Sequence, residues 1–468
     1  MDDNLVFPLA RTPLEVTELI LGRVESRRDL VSFAAASTAC KELVIPRHTE
    51  YRTLRVGHAP EIWAHLAQRP DLARNIRHVT IRGAPPLKIY SKPERYPVTL
   101  VDAVASAADE SDTVIANICE ALRSMEFLRS FTWIAAWSPM GPYLDFSHYY
   151  SDVFQVLKES KSLVQFKMVD KMVPGTLARP AEEEEYPLWH IGDLESLSVR
   201  QLGWWPRGLN SLLCSSPNLQ TLDIRLPNDG SHVFTSCLFP QLRRLNLNST
   251  GSSSEQEIVE FLQKHPSIED LHWYPHNDTL RLGHGSLPNL KCLITSSGIA
   301  CAVLADPTVP SRAIECVSQL SLDDSTLAIL DAIDTSQLRD MRVWRYPGLE
   351  SIDHLAELFP NLTHLEIPNF GIPTRQDENN NYVIDDYILT LAKFGHLEYL
   401  IDSALWAMLL IGGEASDKIA TLAARCPSLQ RLGYFNTQKS EYMDIVLCRE
   451  RGKVSWSEEM VEKEWHRI

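Results

Sequence analysis

The feature that most constrains the fold is a short apolar pattern that returns along the chain. Its clearest copy is Pro360-Asn361-Leu362-x-x-Leu365-x-Ile367. Further copies, with the same proline two residues before the first apolar position, start at Pro217, Pro240, Pro266, Pro288 and Pro427. Residues two apart face the same side of a strand, so Leu365 and Ile367 predict a strand with one buried face. A pattern that recurs with a constant proline offset is an internal repeat.

The repeats have a regular period in the second half of the chain. The first apolar position falls at Leu194, Leu219, Leu242, Ile268, Leu290, Val317, Leu338 and Leu362, and less regularly at Leu397 and Leu429. The first eight positions span 168 residues, which gives a mean spacing of 24 residues. Amphipathic segments lie between the strands, as in residues 255–262, where Ile258, Phe261 and Leu262 share one side. Each repeat is therefore predicted to be a strand, a turn, a helix and a return.

These repeats resemble leucine-rich repeats, and the resemblance covers most of residues 75–440. It implies an α/β fold, a leucine-rich-repeat solenoid with a curved parallel sheet on the inner face and helices outside. We expect irregular early repeats and loops over residues 57–193, with strands at Ile76, Leu128 and Leu163. The regular solenoid is expected over residues 194–440 and a C-terminal cap or tail over residues 441–468. Residues 454–468 are predicted to form a cap helix that covers the last repeat.

A small all-α unit is predicted before the repeats, over residues 8–54. Pro13 and the apolar residues from Leu14 to Leu21 predict a first helix, with Thr12 as its cap. A second helix is predicted from Leu30 to about residue 43, with Asp29 as its cap. One interpretation of these residues is a helical cap that packs inward on the first repeat strands.

The same segment resembles the F-box. The residues that carry the resemblance are, in chain order, Pro13, Glu15, Val16, Ile20, Leu21, Asp29, Leu30, Val31, Cys40 and Lys41. The resemblance implies an apolar helical face that binds a Skp-family adaptor and, through it, an SCF-type cullin–RING ubiquitin ligase. The residues expected to form this face are Pro13, Leu14, Val16, Ile20, Leu21, Leu30 and Val31. The repeats would then hold an unknown target protein.

The outward positions of the repeat strands are the candidates for target binding. On the concave face of the predicted sheet they are Arg200, Asp223, Arg225, Arg244, Asp270, His272, Tyr274, Arg342 and Trp344. Arginine, tyrosine and tryptophan are enriched among the residues that anchor protein interfaces. We therefore expect this strip to bind a protein. The alternative function is a stand-alone leucine-rich-repeat interaction scaffold with no link to a ligase.

Composition narrows the classes of partner. The net charge of -16 argues against sequence-independent binding of nucleic acid. The acidic start, Met1-Asp2-Asp3-Asn4, differs from a secretory signal, and no apolar run has membrane-spanning length. The nine cysteines form no C-x-x-C pair and are expected to be free thiols in a reducing compartment. We expect a cytoplasmic or nuclear protein with neither a nucleic-acid nor a membrane partner.

No catalytic residue, metal site or cofactor is predicted. The sequence contains no G-x-x-x-x-G-K-[ST], no G-x-S-x-G and no H-E-x-x-H, the patterns for phosphate binding, a nucleophilic serine and a zinc site. We therefore expect a protein that is not an enzyme. A third alternative is an arginine supplied to a GTPase, as in some leucine-rich-repeat proteins, although nothing singles out such an arginine.

Overall fold

A computed structural model describes the chain between residues 12 and 460. Within that range the residues outside the description are 25, 46–47, 58, 83–110, 135–150, 170–185, 201–207, 227–232, 250–254, 276, 278–279, 307, 309–311, 332–336, 368–383, 411–414, 437–440 and 451–452. The chain divides into two compact units, Met1–Arg225 and Leu226–Ile468. The domain limits predicted at residues 54, 193 and 440 remain predictions.

The first unit alternates helices and strands after a helical start. Its elements are α1 (Leu14–Arg23), α2 (Arg27–Ala34), α3 (Thr38–Val44), β1 (Thr53–Val56), α4 (Pro60–Gln68), α5 (Pro70–Ala73), β2 (His78–Arg82), α6 (Ser111–Arg123), β3 (Ser130–Ile134), α7 (Ser151–Glu159), β4 (Gln165–Val169), a 3-10 turn (Pro187–His190), β5 (Ser196–Arg200), α8 (Leu209–Cys214) and β6 (Thr221–Leu226).

The N-terminal segment forms three helices where the sequence predicted two. Pro13 occupies the N-cap position of α1 and makes no side-chain cap hydrogen bond. The cap predicted at Thr12 lies one residue before this position and remains a prediction. The second predicted helix is divided at Ser37, whose backbone is extended and whose hydroxyl accepts a hydrogen bond from the Cys40 N–H at 3.1 Å. Ser26, not Asp29, caps α2. Serine oxygens satisfy the free N–H groups of a new helix start, which favours a break over one continuous helix.

The strands of the first unit form a parallel sheet in chain order, from β1 to β6. Its register aligns one buried side chain from each strand, namely Leu54, Val79, Phe131, Phe166, Leu197 and Leu222. Phe131 and Phe166 stack with ring centroids 6.2 Å apart. The three predicted early strands are confirmed, and β4 pairs directly with β5, so the sheet continues across residue 193.

The second unit repeats the same alternation. Its elements are α9 (Val233–Ser236), β7 (Arg244–Ser249), α10 (Glu255–Lys264), β8 (Asp270–Trp273), β9 (Cys292–Thr295), α11 (Ser297–Leu304), β10 (Cys316–Ser321), α12 (Asp324–Asp331), β11 (Asp340–Arg345), α13 (Leu349–Leu358), β12 (His364–Glu366), α14 (Ile384–Leu391), β13 (Tyr399–Ile401), α15 (Ser403–Leu410), α16 (Ala415–Arg425), β14 (Arg431–Asn436), β15 (Glu441–Glu450) and β16 (Lys453–Met460).

The strands of this unit are parallel from β7 to β14 and again follow chain order. One buried residue per strand forms a continuous row, Leu245, Leu271, Leu293, Val317, Met341, Leu365, Leu400 and Leu432. No single strand can bury this residue alone, whereas stacked neighbours can. The predicted α/β class is confirmed, and the architecture is compatible with a repeat solenoid.

The register corrects one repeat position. Cys316 pairs with Cys292, so the residue equivalent to Leu290 is Ile314 and not Val317. Ile314 is buried and restores intervals of 24 residues on both sides, from residue 290 to 314 and from 314 to 338. The first apolar position of this repeat was assigned wrongly because β10 contains an irregularity between Ser318 and Leu320. The extra residue, Gln319, has a positive φ of 70° and moves the third apolar position to Leu320.

The C-terminal tail is a β-hairpin, so the prediction of a cap helix from residue 454 is wrong over the described part. Strand β15 pairs antiparallel with β14 and with β16, which reaches Met460. Trp456 of β16 packs edge-on against Trp406 of α15, with ring centroids 6.3 Å apart. Val454, Trp456 and Met460 lie an even number of residues apart, so a strand places all three on one side. Residues 461–468 lie outside the described range.

The cysteines divide into two kinds. Cys214 and Cys237 are disulfide-bonded, so the expectation of free thiols is wrong for these two. The free cysteines are Cys40, Cys119, Cys292, Cys301, Cys316, Cys426 and Cys448.

Candidate functional site

Four apolar side chains are exposed on the N-terminal helices. Val16, Leu19 and Ile20 of α1 keep 43%, 50% and 49% of their surface, and Val31 of α2 keeps 52%. The first three are spaced by three and four residues and therefore share one helical face. We call these four side chains the N-terminal apolar face. The helices already have a core of their own, made of Leu21, Leu30, Ala34 and Val44.

Two sets of buried polar contacts hold α1 against the chain that follows α3. Glu18 Oε2 lies 2.8 Å from His48 Nε2, and both side chains are largely buried. Burial lowers the pKa of His48, against the opposing effect of the Glu18 carboxylate. Arg52 donates to the carbonyl oxygen of Leu21 at 2.7 Å and to that of Val24. The Leu21 carbonyl oxygen also accepts from the Val24 N–H at 3.2 Å. The carbonyls at a helix end lack the full set of intrahelical partners, so the guanidinium supplies donors there and ties the end of α1 to the later chain.

The predicted adaptor-binding residues separate into two groups. Pro13, Val16, Ile20 and Val31 are exposed, whereas Leu21 and Leu30 are buried in the helical core. The expectation that Leu21 and Leu30 lie on an exposed face is therefore wrong. A helix turns about 100° per residue, so Ile20 and Leu21 cannot both face away from the core unless the apolar stripe is wide. The side chain of Leu14 lies outside the description, and Leu19 is a member that the sequence interpretation missed.

The predicted target-binding arginines are paired with carboxylates on neighbouring strands. Arg200 Nε lies 2.7 Å from Asp223 Oδ2 in the first unit, where Ser198 also donates to the same oxygen. Arg225, the third predicted residue of that unit, is half-buried. In the second unit the ion pairs on strand positions are Arg244–Asp270 at 2.8 Å, Arg342–Glu366 at 3.3 Å and Arg431–Asp444 at 3.6 Å.

The pairing changes what these arginines can do. The Arg244–Asp270 pair is well exposed and contributes from about 0 to about 1 kcal/mol, so a partner could displace it at little cost. The Arg200–Asp223 and Arg342–Glu366 pairs are largely covered by the protein. Their charges are nevertheless balanced in the free protein. The sequence interpretation named Asp223 and Asp270 as independent contacts and missed Glu366 and Asp444. The face is therefore less basic than its arginines suggest.

An open cleft of about 1300 Å³ lies beyond the carboxyl ends of β8 to β11. It brings together three of the predicted residues, His272, Tyr274 and Trp344. The exposed part of its wall also carries Arg281, His284 and Arg345. Crevices at the carboxyl ends of parallel strands are common ligand sites. By contrast, the predicted residues Arg244 and Asp270 line a different and smaller cavity.

Tyr274 closes one side of this cleft. Its hydroxyl hydrogen-bonds to the Gln319 side chain, and its ring meets His272 edge-on at 4.9 Å. Burial raises the pKa of Tyr274 to about 12, with Arg342 opposing this effect. Gln319 reaches the tyrosine because the irregularity in β10 gives it a positive φ. Local strain of this kind is concentrated at functional sites, and no residue pattern in the sequence indicated it.

The carboxylates at the cleft are engaged with the protein itself. Asp306 accepts hydrogen bonds from the Thr308 hydroxyl at 2.7 Å and from the Gly285 N–H at 3.0 Å, and it pairs with Arg312 at 3.2 Å. Asp323 accepts from the Ser325 hydroxyl at 2.6 Å. Hydrogen bonding lowers the pKa of both carboxyl groups. The two acids therefore hold the loops in place. The exposed part of the wall combines Trp344 with the basic residues Arg281, His284 and Arg345, and it also includes Asp323.

No helix in the described ranges combines the length and the apolar character that are needed to cross a bilayer. No group of three or more histidine, cysteine, aspartate or glutamate side chains within the same part of the chain is arranged to hold a metal ion.

Comparison with known proteins adds no relationship: no protein-family model and no curated protein sequence matches this chain.

Proposed function

We propose that the protein is the substrate-recognition subunit of an SCF-type cullin–RING ubiquitin ligase. On this proposal the N-terminal helices are an F-box that binds a Skp-family adaptor, and the later strands and helices are leucine-rich repeats that hold a target protein. The ubiquitin transfer itself belongs to other subunits. The observation that carries the proposal is the N-terminal apolar face, which stays exposed although its helices bury a core of their own.

Exposed apolar side chains are common singly, but a group of them on one small helical unit favours a protein partner. Val16, Leu19 and Ile20 form a stripe on α1 and keep about half of their surface exposed. Their contact with water is unfavourable by roughly 25 cal/mol per Å² of apolar surface, and a partner that covers them recovers that free energy. Val16, Ile20 and Val31 are also residues that carry the F-box resemblance.

The alternative is a stand-alone repeat scaffold whose N-terminal helices are only a cap. A cap would turn its apolar stripe inward, toward the first strands. The exposure of Ile20 and Val31 therefore favours the adaptor-binding function. The target site is proposed to be the cleft at Tyr274 and Trp344, because its exposed wall offers the residue types that anchor protein interfaces.

Coexpression of the full chain with a Skp-family adaptor tests the proposal. The wild-type chain should copurify with the adaptor, and the double variant Ile20→Asp with Val31→Asp should lose it. A buried charge without a partner costs several kcal/mol, so recovery should fall by about tenfold or more. Leu389→Asp is the matched control, because Leu389 is an apolar residue of α14 with 47% exposure.

A thermal melt confirms that each variant is folded. Adaptor binding that survives the double substitution would reject the assignment of this face, and a wild-type chain that never copurifies would favour the scaffold alternative. A second arm uses Tyr274→Ala with Trp344→Ala. This variant should keep the adaptor but recover less of any protein that copurifies with the wild type.

A further inference from the structure

Two thiols lie side by side on the exposed face of the second unit. Cys292 begins β9 and Cys316 begins β10, and the two residues are direct partners in the parallel register. Both are partly exposed, whereas the residues that follow them, Leu293 and Val317, are buried. Because side chains alternate along a strand, the two thiols point to the same open side of the sheet.

The spacing between these cysteines suits a covalent bond. Neighbouring strands lie about 4.7 to 4.9 Å apart, within the range of about 4.4 to 6.8 Å that separates the Cα atoms of a disulfide. The thiols of Cys292 and Cys316 already hydrogen-bond to one another. No change of register is needed to join them, because the two residues are already direct partners.

The pair is also accessible. A shallow cavity of about 330 Å³ is lined by both cysteines and by side chains that include Arg244, Asp270 and Lys291. Cys40, Cys119 and Cys426 are buried. Cys301 is partly exposed, and its sulfur lies 3.9 Å from the Thr326 hydroxyl and not beside another thiol. Among the free cysteines, Cys292 and Cys316 therefore combine a thiol neighbour with an open approach.

We propose that Cys292 and Cys316 form a reversible dithiol–disulfide site that reacts with small-molecule disulfides such as oxidised glutathione. The Cys292 thiolate attacks one sulfur of the small disulfide, forms a mixed disulfide and releases one small thiolate. Cys316 then loses its proton to solvent, and its sulfur attacks Cys292 Sγ and displaces the second small thiolate. The protein dithiol loses two electrons and two protons, and the small disulfide gains them as two thiols.

The order of these steps follows from the environment of Cys316. The hydrogen bond with Cys292 and burial raise the pKa of the Cys316 thiol. The thiolate is the attacking species, so the second step should be the slower one near neutral pH and should accelerate as the pH rises. The site is independent of the proposed ligase function.

Peptide mapping tests the site in the full-length protein. The reduced protein is incubated with oxidised glutathione, its remaining thiols are alkylated, and it is digested with trypsin without reduction. Cleavage after Lys291, Arg312 and Arg339 places Cys292 in the peptide 292–312 and Cys316 in the peptide 313–339. The expected product is the two peptides joined, lighter by two hydrogen atoms than their sum and separated again by dithiothreitol.

Three variants identify the bond. Cys301 shares a peptide with Cys292, so Cys301→Ser should leave the joined product unchanged. Cys292→Ser should abolish it, and Cys316→Ser should leave a stable mixed disulfide with glutathione on the peptide 292–312. Glutathione adducts without joined peptides in the wild type would overturn the proposal, as would unmodified thiols or a joined product that persists in Cys292→Ser.

Discussion

Acidification should destabilise the second unit through His265, a side chain with 1% exposure. Its Nε2 accepts a hydrogen bond from the Phe239 N–H at 2.9 Å, and its Nδ1 lies 2.6 Å from the Phe261 carbonyl oxygen, to which it must donate. The ring stacks on Phe261 with centroids 3.8 Å apart. A second proton would remove the acceptor and set two N–H groups against each other. Burial lowers the pKa of His265.

The sign and the limit of the effect follow from this lowered pKa. As the pH falls, the unfolded chain binds the proton near the ordinary pKa of about 6.5, while the folded ring stays neutral. Stability is therefore complete above that value and declines as the pH falls below it. If the folded ring stays neutral throughout, the free energy of unfolding falls by about 2 kcal/mol between about pH 7.5 and about pH 5.0, and this is the upper limit of the effect. For a unit of this size that is a fall in Tm of about 4 to 8 °C.

The assay compares thermal melts at the two pH values for the wild type and for His265→Gln. Glutamine offers an amide oxygen to the Phe239 N–H but does not titrate, so the variant should be less stable at high pH and less sensitive to acid. His354→Gln, at an exposed position of α13, is the control and should keep the full sensitivity. An unchanged pH dependence in His265→Gln would refute the reasoning, because all other titrating groups are the same in both proteins.

Two further predictions concern stability. Leu293→Ala should lower the free energy of unfolding by about 2 to 5 kcal/mol, because Leu293 is fully buried in the row of β-strand residues. Leu389→Ala should change it by less than about 0.5 kcal/mol, and urea titrations that give equal losses for the two would contradict the assigned burial. Asp193 is exposed with a positive φ of 56°, so Asp193→Gly should raise the melting temperature by relieving up to about 1 kcal/mol of strain. Asp193→Val should lower it, and the opposite order of the two melting temperatures would show that the backbone there is not strained.

The repeat strands were predictable because each carries its own signal. Leu362, Leu365 and Ile367 are all buried, as their alternation requires, and the same holds for Leu219, Leu222 and Ile224. The irregular repeat at Val317 was not placed correctly, because the extra residue Gln319 shifts the apolar alternation within the strand. Strand β16 was mistaken for the start of a cap helix, because glutamate and lysine favour helices and are depleted in strands. Its strand conformation comes from its pairing with β15.

The candidate site was predictable only in part. His272, Tyr274 and Trp344 do meet at one cleft. His272 and Tyr274 belong to one repeat, and Trp344 holds the position equivalent to Tyr274 in a later repeat, six residues after its first apolar residue. The pairing of Arg342 with Glu366 was missed, although the two residues are one repeat apart. In the N-terminal helices the sequence marked an apolar stripe but could not tell that Leu21 faces inward and Ile20 outward.

By itself the sequence determined the period, the strand positions and the buried row, because alternating apolar residues that recur every 24 or so positions can be buried only by stacking one strand beside the next. The tertiary structure alone decided which outward residues became neighbours. Three such contacts join residues more than twenty positions apart. They are the pairing of Cys292 with Cys316, the ion pair of Arg244 with Asp270 and the hydrogen bond of Tyr274 with Gln319. Such pairs depend on the register between strands, which is set by the packing of the whole sheet and not by any local pattern.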